Sequence, residues 1–407
     1  MMSDRTILYT TAFIRALGVG MVAVLLAVYL AQLDFAPDAV GYVIAAGLTG
    51  NALALLVVTV WSDRFGRKRM LLQLTLLWAT GAAVTALATS ASVLAPAAFL
   101  GMLNGMGRDR GAALALEQAI LPATTSDAHR TRAFAWYNAV QDVGHALGAL
   151  LAGVPVVLER TRGLSPMSAH RLSLWGYVGL AALTAALYVQ LSPACEIGAR
   201  RAPLTAPTRR VLAKISALFA LDSLGGGFLT TALLSYFFFE RFGASEIVIA
   251  ALFFGARLAN ALSHFGAAVL ARKIGLVNTM VFTHIPSSLL LVTVAFTPSF
   301  PVAAALFLLR EGLVEMDVPT RQSYIMAMVR PEERTVASGV TNLVRMGAWA
   351  IGPLFAGILM RRSSLMMPLV IGAAMKITYD VLLYTAFRKR RPPEETAGMS
   401  DHADRRA

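Results

Sequence analysis

Long stretches of the sequence without Asp, Glu, Lys or Arg constrain the fold more than any other feature. They include residues 16–33, 39–62, 70–107 and 274–309. A helix needs about 20 consecutive, predominantly apolar residues to cross the hydrocarbon core of a bilayer. In lipid a segment must also satisfy its own backbone hydrogen bonds, and at these lengths only a helix does so. The chain is therefore predicted to be an integral membrane protein.

The two longest stretches each turn back at a cluster of Pro and Ser, between Thr89 and Pro96 and between Thr297 and Pro301. Proline ends helices, so each stretch is predicted to be a helical hairpin. Counting in this way predicts twelve transmembrane helices. They cover about residues 6–32, 39–61, 70–90, 94–122, 131–157, 172–191, 212–240, 246–269, 277–297, 302–328, 336–360 and 365–387. The predicted fold class is all-α integral membrane.

Composition excludes several other classes of protein. The chain is 57% hydrophobic and 14% charged, which does not suit a soluble protein of 407 residues. Its single cysteine, Cys195, rules out an internal disulfide framework and a thiolate metal cluster, and we expect no metal and no cofactor. The net charge of +13 is scattered over short loops without a nucleic-acid reader motif. Contact with membrane lipids explains that charge better than nucleic acid does.

Lys and Arg collect on the side that both termini share. They include Arg64, Arg67, Lys68 and Arg69 after the second predicted span and the cluster at residues 388–391. By the positive-inside rule, both termini are predicted to be cytoplasmic. The predicted location is the plasma (inner) membrane of a bacterium, with the protein as a monomer.

The sequence repeats itself. Arg15-Ala-Leu-Gly-Val-Gly20 in the first span aligns with Asp222-Ser-Leu-Gly-Gly-Gly227 in the seventh, and Glu117 in the fourth falls opposite Arg321 in the tenth. Two pseudo-symmetric six-helix bundles are implied. The predicted domains are residues 1–191 and 212–387, with a cytoplasmic linker at 192–211 and a basic tail at 388–407.

The loop after the second span reads Asp63-Arg64-Phe65-Gly66-Arg67-Lys68, with a weaker echo, Arg272-Lys-Ile-Gly275, after the eighth. This loop resembles the signature loop of the major facilitator superfamily, although Thr59 stands where the signature usually has glycine. The resemblance covers residues 6–387. It implies alternating access, a cavity lined by helices 1, 4, 7 and 10, and a role for the loop in latching the halves on the cytoplasmic side.

Charged residues inside the spans are the functional candidates, because each is costly in lipid unless it faces a partner or water. The predicted pairs are Arg15 with Glu117 and Asp222 with Arg321, or a bridge from Arg15 to Asp222. The candidates for substrate contact or proton coupling are Arg15, Arg108, Asp109, Glu117, Asp222, Arg310, Glu311, Glu315, Asp317 and Arg321, with Tyr29 and Tyr236 as aromatic candidates. The gating candidates are Asp63, Arg64, Gly66, Arg67 and Lys68, with Asp142 and Arg257 as a pair between the halves.

These features predict a secondary transporter that exports a small organic compound, a drug or a metabolite, in exchange for protons. Two alternatives remain open: a proton-coupled importer of an organic anion, which buried arginines would suit, and a lipid-handling or sensing protein on the same fold. The sequence contains no phosphate-binding loop, so uphill transport must use an ion gradient. No nucleophile with a base stands out either, and an enzyme is not expected. Histidines 145, 264 and 284 are predicted to serve helix packing or a hydrogen bond.

Overall fold

A computed structural model describes residues 2–125, 130–196, 205–317, 321 and 333–387. Within these ranges the secondary structure is helical, with short 3-10 turns at Leu121–Thr124 and Pro193–Glu196. The predicted tail, most of the linker, and the part of the tenth span around Pro319 lie outside the described residues.

The first half of the chain forms eight helices. They are α1 (Asp4–Gln32), α2 (Pro37–Phe65), α3 (Arg67–Leu87), α4 (Ala91–Gly101), α5 (Ala112–Ile120), α6 (Arg130–Leu151), α7 (Val154–Arg162) and α8 (Pro166–Tyr188). The helices described in the second half are α9 (Ala206–Gly227), α10 (Thr231–Phe242), α11 (Glu246–Ile274), α12 (Leu276–Phe296), α13 (Phe300–Val314), α14 (Arg334–Arg362) and α15 (Met367–Phe387).

Nine segments of the described residues are helical, long and apolar enough to cross a membrane. The other three predicted spans correspond to α4 with α5, to α8, and to α13 with residues that lie largely outside the described ranges. The chain is therefore an all-helical, multi-pass membrane protein, and the count of twelve spans stays a prediction.

Three spans predicted as single helices are interrupted, and here the prediction was wrong. The span at 94–122 is non-helical between Gly101 and Ala112. The span at 131–157 is interrupted between Leu151 and Val154, and the span at 212–240 between Gly227 and Thr231. Glycine has a low helix propensity, and glycines 105, 107 and 111 lie in the first break. At membrane depth such backbone is tolerated only where it is buried in protein or lines a cavity.

The helix breaks after Gly101 and Gly227 satisfy each other's backbone groups. The Ala232 amide donates to the Gly105 carbonyl oxygen at 3.0 Å. The Thr231 hydroxyl donates to the Met106 carbonyl oxygen at 2.9 Å. Inside the first break the Asn104 side chain accepts from the Met106 amide at 2.9 Å. These hydrogen bonds stabilise a non-helical segment at this depth, because they pair buried N–H and C=O groups.

Helices α1 and α6 pack with their backbones in close contact. A Cβ atom added to Gly148 would lie 2.1 Å from the Leu17 carbonyl oxygen, and one added to Gly20 would lie 2.4 Å from the His145 carbonyl oxygen. Small residues let membrane helices approach in this way. Gly20 and Gly148 therefore serve the packing of α1 against α6.

The loops that carry the signature and its echo have similar backbone conformations at their glycines. Gly66 and Gly275 both have φ of +88°, a region that favours glycine. Each glycine joins two long helices, α2 to α3 and α11 to α12. The internal repeat predicted from the sequence is therefore visible in these turns.

The chain divides into two compact units. Unit 1 combines Met1–Ala199, Gly227–Arg257 and Met346–Pro368, and unit 2 combines Arg200–Gly226, Leu258–Arg345 and Leu369–Ala407. Unit 1 thus contains segments from both halves of the sequence.

Candidate functional site

A carboxylate at the centre of unit 1 is surrounded by hydrogen-bond donors. Glu117 of α5 is completely buried. It accepts from the hydroxyls of Thr11 at 2.5 Å, Tyr188 at 2.6 Å and Tyr137 at 2.6 Å. The guanidinium of Arg15 lies 2.7 Å from the same carboxylate. The pair Arg15 with Glu117 that the repeat predicted is therefore present.

Arg15 is shared between two carboxylates. Its Nε lies 2.8 Å from Asp109, which stands in the non-helical break before α5. Asp109 in turn accepts from the Gly111 amide at 3.3 Å. Removing one partner of a buried ion pair strongly destabilises a protein, because the other charge stays buried without its counter-ion. Loss of Arg15 from this site would leave both carboxylates without this cation.

The break places His145 of α6 against Asp109. The His145 Nε2 atom accepts from the Asp109 backbone N–H at 2.9 Å. Because an acceptor nitrogen carries no proton, the proton of a neutral ring is on Nδ1. His145 makes a hydrogen bond to the backbone, as the sequence predicted.

Arg15 and Asp109 also line a cavity of about 70 Å³ within unit 1. Its walls include Asn51 of α2, Trp78 of α3 and Tyr177 of α8. A volume of this size holds several water molecules. The cavity gives water a place beside the ion pair.

Unit 2 contains the second predicted pair. Asp222 of α9 lies 3.0 Å from Arg321 and 2.8 Å from the Lys376 ammonium of α15. Arg321 also lies 3.0 Å from Asp317. The pair Asp222 with Arg321 is therefore present, and Lys376 adds a second cation. The alternative bridge joins residues of different units and stays a prediction.

A histidine extends this cluster. The Nδ1 atom of His284 on α12 lies 3.0 Å from both carboxylate oxygens of Asp380, so it carries the proton and donates. Its Nε2 lies 3.4 Å from the Lys376 ammonium, which can only donate. Polar contacts therefore run from Asp222 through Lys376 and His284 to Asp380. His284 was predicted to serve helix packing or a hydrogen bond, and Lys376 and Asp380 were not among the predicted site residues.

The tenth predicted span, which carries five of the candidate residues, is described in part. Arg310 forms an ion pair with Glu311 in α13. The Asn260 side chain of α11 donates to the Glu311 carboxylate at 2.8 Å. Glu315 ends α13, and Asp317 joins the Arg321 pair. Of the candidates here, the structure brings Asp317 and Arg321 to Asp222, while Arg310 and Glu311 form a separate pair.

The two aromatic candidates are buried in unit 1. Tyr29 of α1 donates to the Thr85 carbonyl oxygen at 3.3 Å, and its ring stacks on His170 at 5.9 Å. Tyr236 of α10 is also buried. These contacts are those of packed side chains, so substrate contact by Tyr29 and Tyr236 remains only a prediction.

The signature loop docks onto the end of α8. Glu196 accepts from the backbone amides of Arg67 at 2.5 Å and Lys68 at 3.1 Å, and so caps α3. The Lys68 ammonium donates to the carbonyl oxygens of Val189 and Leu191, each at 2.7 Å. Sequence reasoning missed Glu196, whose partners are distant in the chain. The loop is fixed here within the first half.

The other gating candidates have individual positions. Arg64 is exposed and lies over the Phe65 ring at 5.9 Å, and the side chain of Asp63 lies outside the described residues. Arg257 of α11 donates to the Thr231 hydroxyl at 3.2 Å, and Asp142 is half-buried on α6. The pairing of Asp142 with Arg257 stays a prediction. Arg108 and Arg110 lie in the break beside Asp109, with Arg110 over the Trp349 ring at 5.3 Å.

Over the part of the chain that the structure describes, no group of three or more His, Cys, Asp or Glu side chains is arranged to hold a metal ion. The two clusters instead combine carboxylates with cations, hydroxyls and the imidazoles of His145 and His284.

Comparison with known proteins identifies the family. The family model described as Major Facilitator Superfamily matches residues 8–353 and, in a second match, residues 215–404. An uncharacterized membrane protein of Saccharomyces cerevisiae is 25% identical in an alignment 420 residues long, which covers 94% of this chain and 94% of that protein.

Solved structures share the fold at low sequence identity. The nucleoside transporter NupG has a TM-score of 0.74 at 14% identity, covering 95% of this chain and 100% of its own. A D-xylose-proton symporter has a TM-score of 0.72 at 13% identity, covering 97% and 99%. The human organic anion transporter MFSD10 has a TM-score of 0.64 at 16% identity, covering 94% and 100%. The chain belongs to the Major Facilitator Superfamily and is a membrane transporter rather than an enzyme.

Proposed function

We propose that this protein exports a small organic compound, a drug or a metabolite, in exchange for protons, by alternating access of its two halves. The observation that carries this proposal is the pair of buried clusters at repeat-related positions. In each, a carboxylate is held against a cation of another helix: Glu117 against Arg15, and Asp222 against Arg321 and Lys376.

Such a cluster couples to protons through its contacts. A buried carboxylate stays ionised while a cation and hydrogen-bond donors stabilise its charge. When a conformational change withdraws the cation, the charged form becomes costly in low dielectric and the carboxylate takes a proton. The proton is released when the pair re-forms. Transport is then coupled to protons if only one access state withdraws the cation.

The unit 2 cluster also offers a route for the proton. The contacts from Asp222 through Lys376 and His284 to Asp380 link two carboxylates by groups that hold exchangeable protons. His is the side chain whose unperturbed titration lies closest to neutral pH. Asp222 is thus the proposed coupling carboxylate, and His284 and Lys376 its proton partners.

Import of an organic anion is the second candidate. The break before α5 brings Arg108 and Arg110 into the middle of a span, and Arg257 approaches it within unit 1, with its guanidinium 2.8 Å from where a Gly107 Cβ would lie. Arginine recognises carboxylate and phosphate through paired hydrogen bonds. This grouping favours a negatively charged substrate.

The proposed setting follows from the sequence. The protein is a monomer in the inner membrane of a bacterium, surrounded by lipid and with both termini in the cytoplasm. The excess of Lys and Arg on the side of the termini supports this orientation.

The test is proton movement across proteoliposomes that hold the purified protein, with a panel of cationic, neutral and anionic compounds. Asp222→Asn is the test variant, and Glu240→Gln, at an exposed carboxylate of α10, is the matched control. An added compound that drives protons out supports exchange, and one that draws protons in with it supports import. Flux that survives Asp222→Asn, or a panel that moves no protons, would refute the coupling.

A further inference from the structure

A buried histidine and a buried glutamate meet where the two halves of the sequence pack within unit 1. His170 lies in the first turns of α8 and Glu246 at the start of α11, and both are almost completely buried. The His170 Nε2 atom is 3.1 Å from a Glu246 carboxylate oxygen. This contact joins groups from different halves of the chain.

The other ring nitrogen fixes how many protons the pair holds. His170 Nδ1 lies 2.8 Å from the Pro166 carbonyl oxygen. A carbonyl oxygen only accepts, so Nδ1 carries a proton. A neutral ring would then present the lone pair of Nε2 to the carboxylate. Two lone pairs 3.1 Å apart, shielded from water, repel each other.

A second proton removes this repulsion. It makes either an imidazolium against a carboxylate or a neutral imidazole against a carboxylic acid, and both place one N–H···O or O–H···N bond at this contact. Gln32, at the end of α1, donates to the same Glu246 oxygen at 2.8 Å and keeps it in place. The approach of Nε2 to the carboxylate at 3.1 Å is therefore favoured when the pair holds one more proton than neutral histidine and ionised glutamate together.

The surroundings contain few other titratable groups. Glu159 of α7 is a second, more distant carboxylate that interacts electrostatically with His170. Arg171 acts on the hydroxyl of Tyr29, whose ring stacks on His170. At the end of α10 are Glu240, which is exposed, and Arg241, which lies over the Phe242 ring. The described end of α3 near Tyr29, residues 84–87, carries no titratable side chain.

The same end of the molecule holds other contacts between the sequence halves. Arg361 of α14 lies 2.5 Å from Asp38 of α2. A Cβ atom on Gly41 would lie 2.3 Å from the Pro353 carbonyl oxygen. The positive-inside rule predicts that this end faces away from the cytoplasm. The structure is thus a state in which these outer ends are packed together.

We propose that His170 and Glu246 form a proton-binding site that holds these outer ends together. The closed arrangement binds one proton between the two side chains, and its loss leaves facing lone pairs and favours separation. The proposal rests on the alternating access proposed above. For a site of one proton, the ratio of open to closed states changes by up to about tenfold per pH unit.

The experiment measures the distance between the outer ends as a function of pH. Thr161→Cys on α7 and Glu240→Cys on α10 place spin labels at exposed positions, in a Cys195→Ser background that removes the single native cysteine. Distances are recorded in nanodiscs from about pH 5 to about pH 9, a range that spans histidine titration. The short distance is expected at low pH, with a longer distance gaining population as pH rises.

Glu246→Gln is the decisive variant. An amide N–H of the variant replaces the shared proton and does not titrate, and Gln32 can turn its free side-chain oxygen toward the new amide. The short distance is therefore expected to persist at every pH. Arg361→Gln, which removes the exposed ion pair at the same end, should keep the wild-type pH dependence. Two results would overturn the proposal. One is the same distance at all pH values in the labelled protein that keeps His170 and Glu246, and the other is a Glu246→Gln variant whose distances depend on pH as before. The measurement needs no substrate, so a failure of the transport proposal would not affect it.

Discussion

Glu117→Gln tests the central cluster of unit 1 directly. The carboxylate accepts from three hydroxyls, those of Thr11, Tyr137 and Tyr188, and lies against Arg15. Glutamine keeps the shape, removes the charge and replaces one acceptor oxygen with a donor. At least one of the hydroxyls must then turn away or exchange its role, and the ion pair becomes a contact between a charge and a dipole.

The expected loss in the free energy of unfolding depends on the contacts that Arg15 keeps in the variant. A hydrogen bond to a charged group contributes roughly 1.5–3 kcal/mol. An orphaned buried ion costs about 3–5 kcal/mol, but Arg15 keeps Asp109 at 2.8 Å and is not orphaned. The expected loss in the free energy of unfolding is therefore about 1.5–3 kcal/mol, the lower of these two ranges.

The assay uses the single native cysteine. Cys195 is buried, and burial raises the pKa of its thiol, so that a fluorogenic maleimide reacts slowly with the folded protein. Unfolding in detergent exposes the thiol, and the dye reports a melting temperature. Glu240→Gln, which removes a charge from an exposed position on α10, is the matched control.

Glu117→Gln is expected to lower the melting temperature clearly below that of the control. If both variants have the melting temperature of the wild type, the four donors around Glu117 do not stabilise an ionised carboxylate. The reasoning that assigns it a charge in this state would then fail.

Three further predictions follow from individual contacts. Gly148→Ala should destabilise the protein by about 1–3 kcal/mol, because the methyl group meets the Leu17 carbonyl oxygen, while Gly176→Ala, with open space around it, should not; melting temperatures compare them. Lys376→Met should lower substrate-driven proton flux in proteoliposomes by roughly tenfold or more, the factor for an interaction of about 1.4 kcal/mol. Arg361→Gln should change stability by less than about 1 kcal/mol, because its ion pair is exposed.

The overall fold could be predicted because membrane helices are specified locally. Uncharged stretches identify spans without knowledge of their neighbours, since the bilayer takes the place of tertiary contacts. Gly66 and Gly275 likewise mark their turns by a backbone conformation that depends on few other residues. Both features were readable from the sequence for this reason.

The breaks at 102–111 and 228–230 could not be predicted in the same way. No proline lies in either break, and glycine alone is common in membrane helices. What permits the first break is its contact with Thr231 and Ala232, more than a hundred residues away along the chain. Such a pairing becomes visible only in three dimensions.

The candidate site was predictable to the extent that the repeat reveals it. Opposite charges at equivalent positions indicated Arg15 with Glu117 and Asp222 with Arg321, and both pairs are present. His284 had no such signal, because its own stretch of sequence is uncharged and its partners lie on α15. Repeat symmetry identifies only positions that correspond between the two halves, and His284 with its partners lies outside the aligned segments.

The reversal of charge between the repeats limits how coupling can operate under the proposed function. The first span contributes a cation, Arg15, and the equivalent position of the seventh contributes a carboxylate, Asp222. Arginine stays protonated at any physiological pH, whereas a carboxylate deprived of its partner can be neutralised by one proton. Opening of the unit 1 pair would therefore load a proton on Glu117 or Asp109 and leave Arg15 charged.

Opening of the unit 2 pair would instead load the proton on Asp222 and leave Arg321 and Lys376 charged. In unit 1 the other carboxylate stays as the counter-ion of Arg15, and in unit 2 Asp317 stays as that of Arg321. Lys376 is then the cation that loses its carboxylate partner. A substrate carrying a negative charge would compensate it, whereas a cationic substrate would need a carboxylate kept ionised. The charge of the compound that drives proton flux is therefore the measurement that separates the two candidate functions at the level of these side chains.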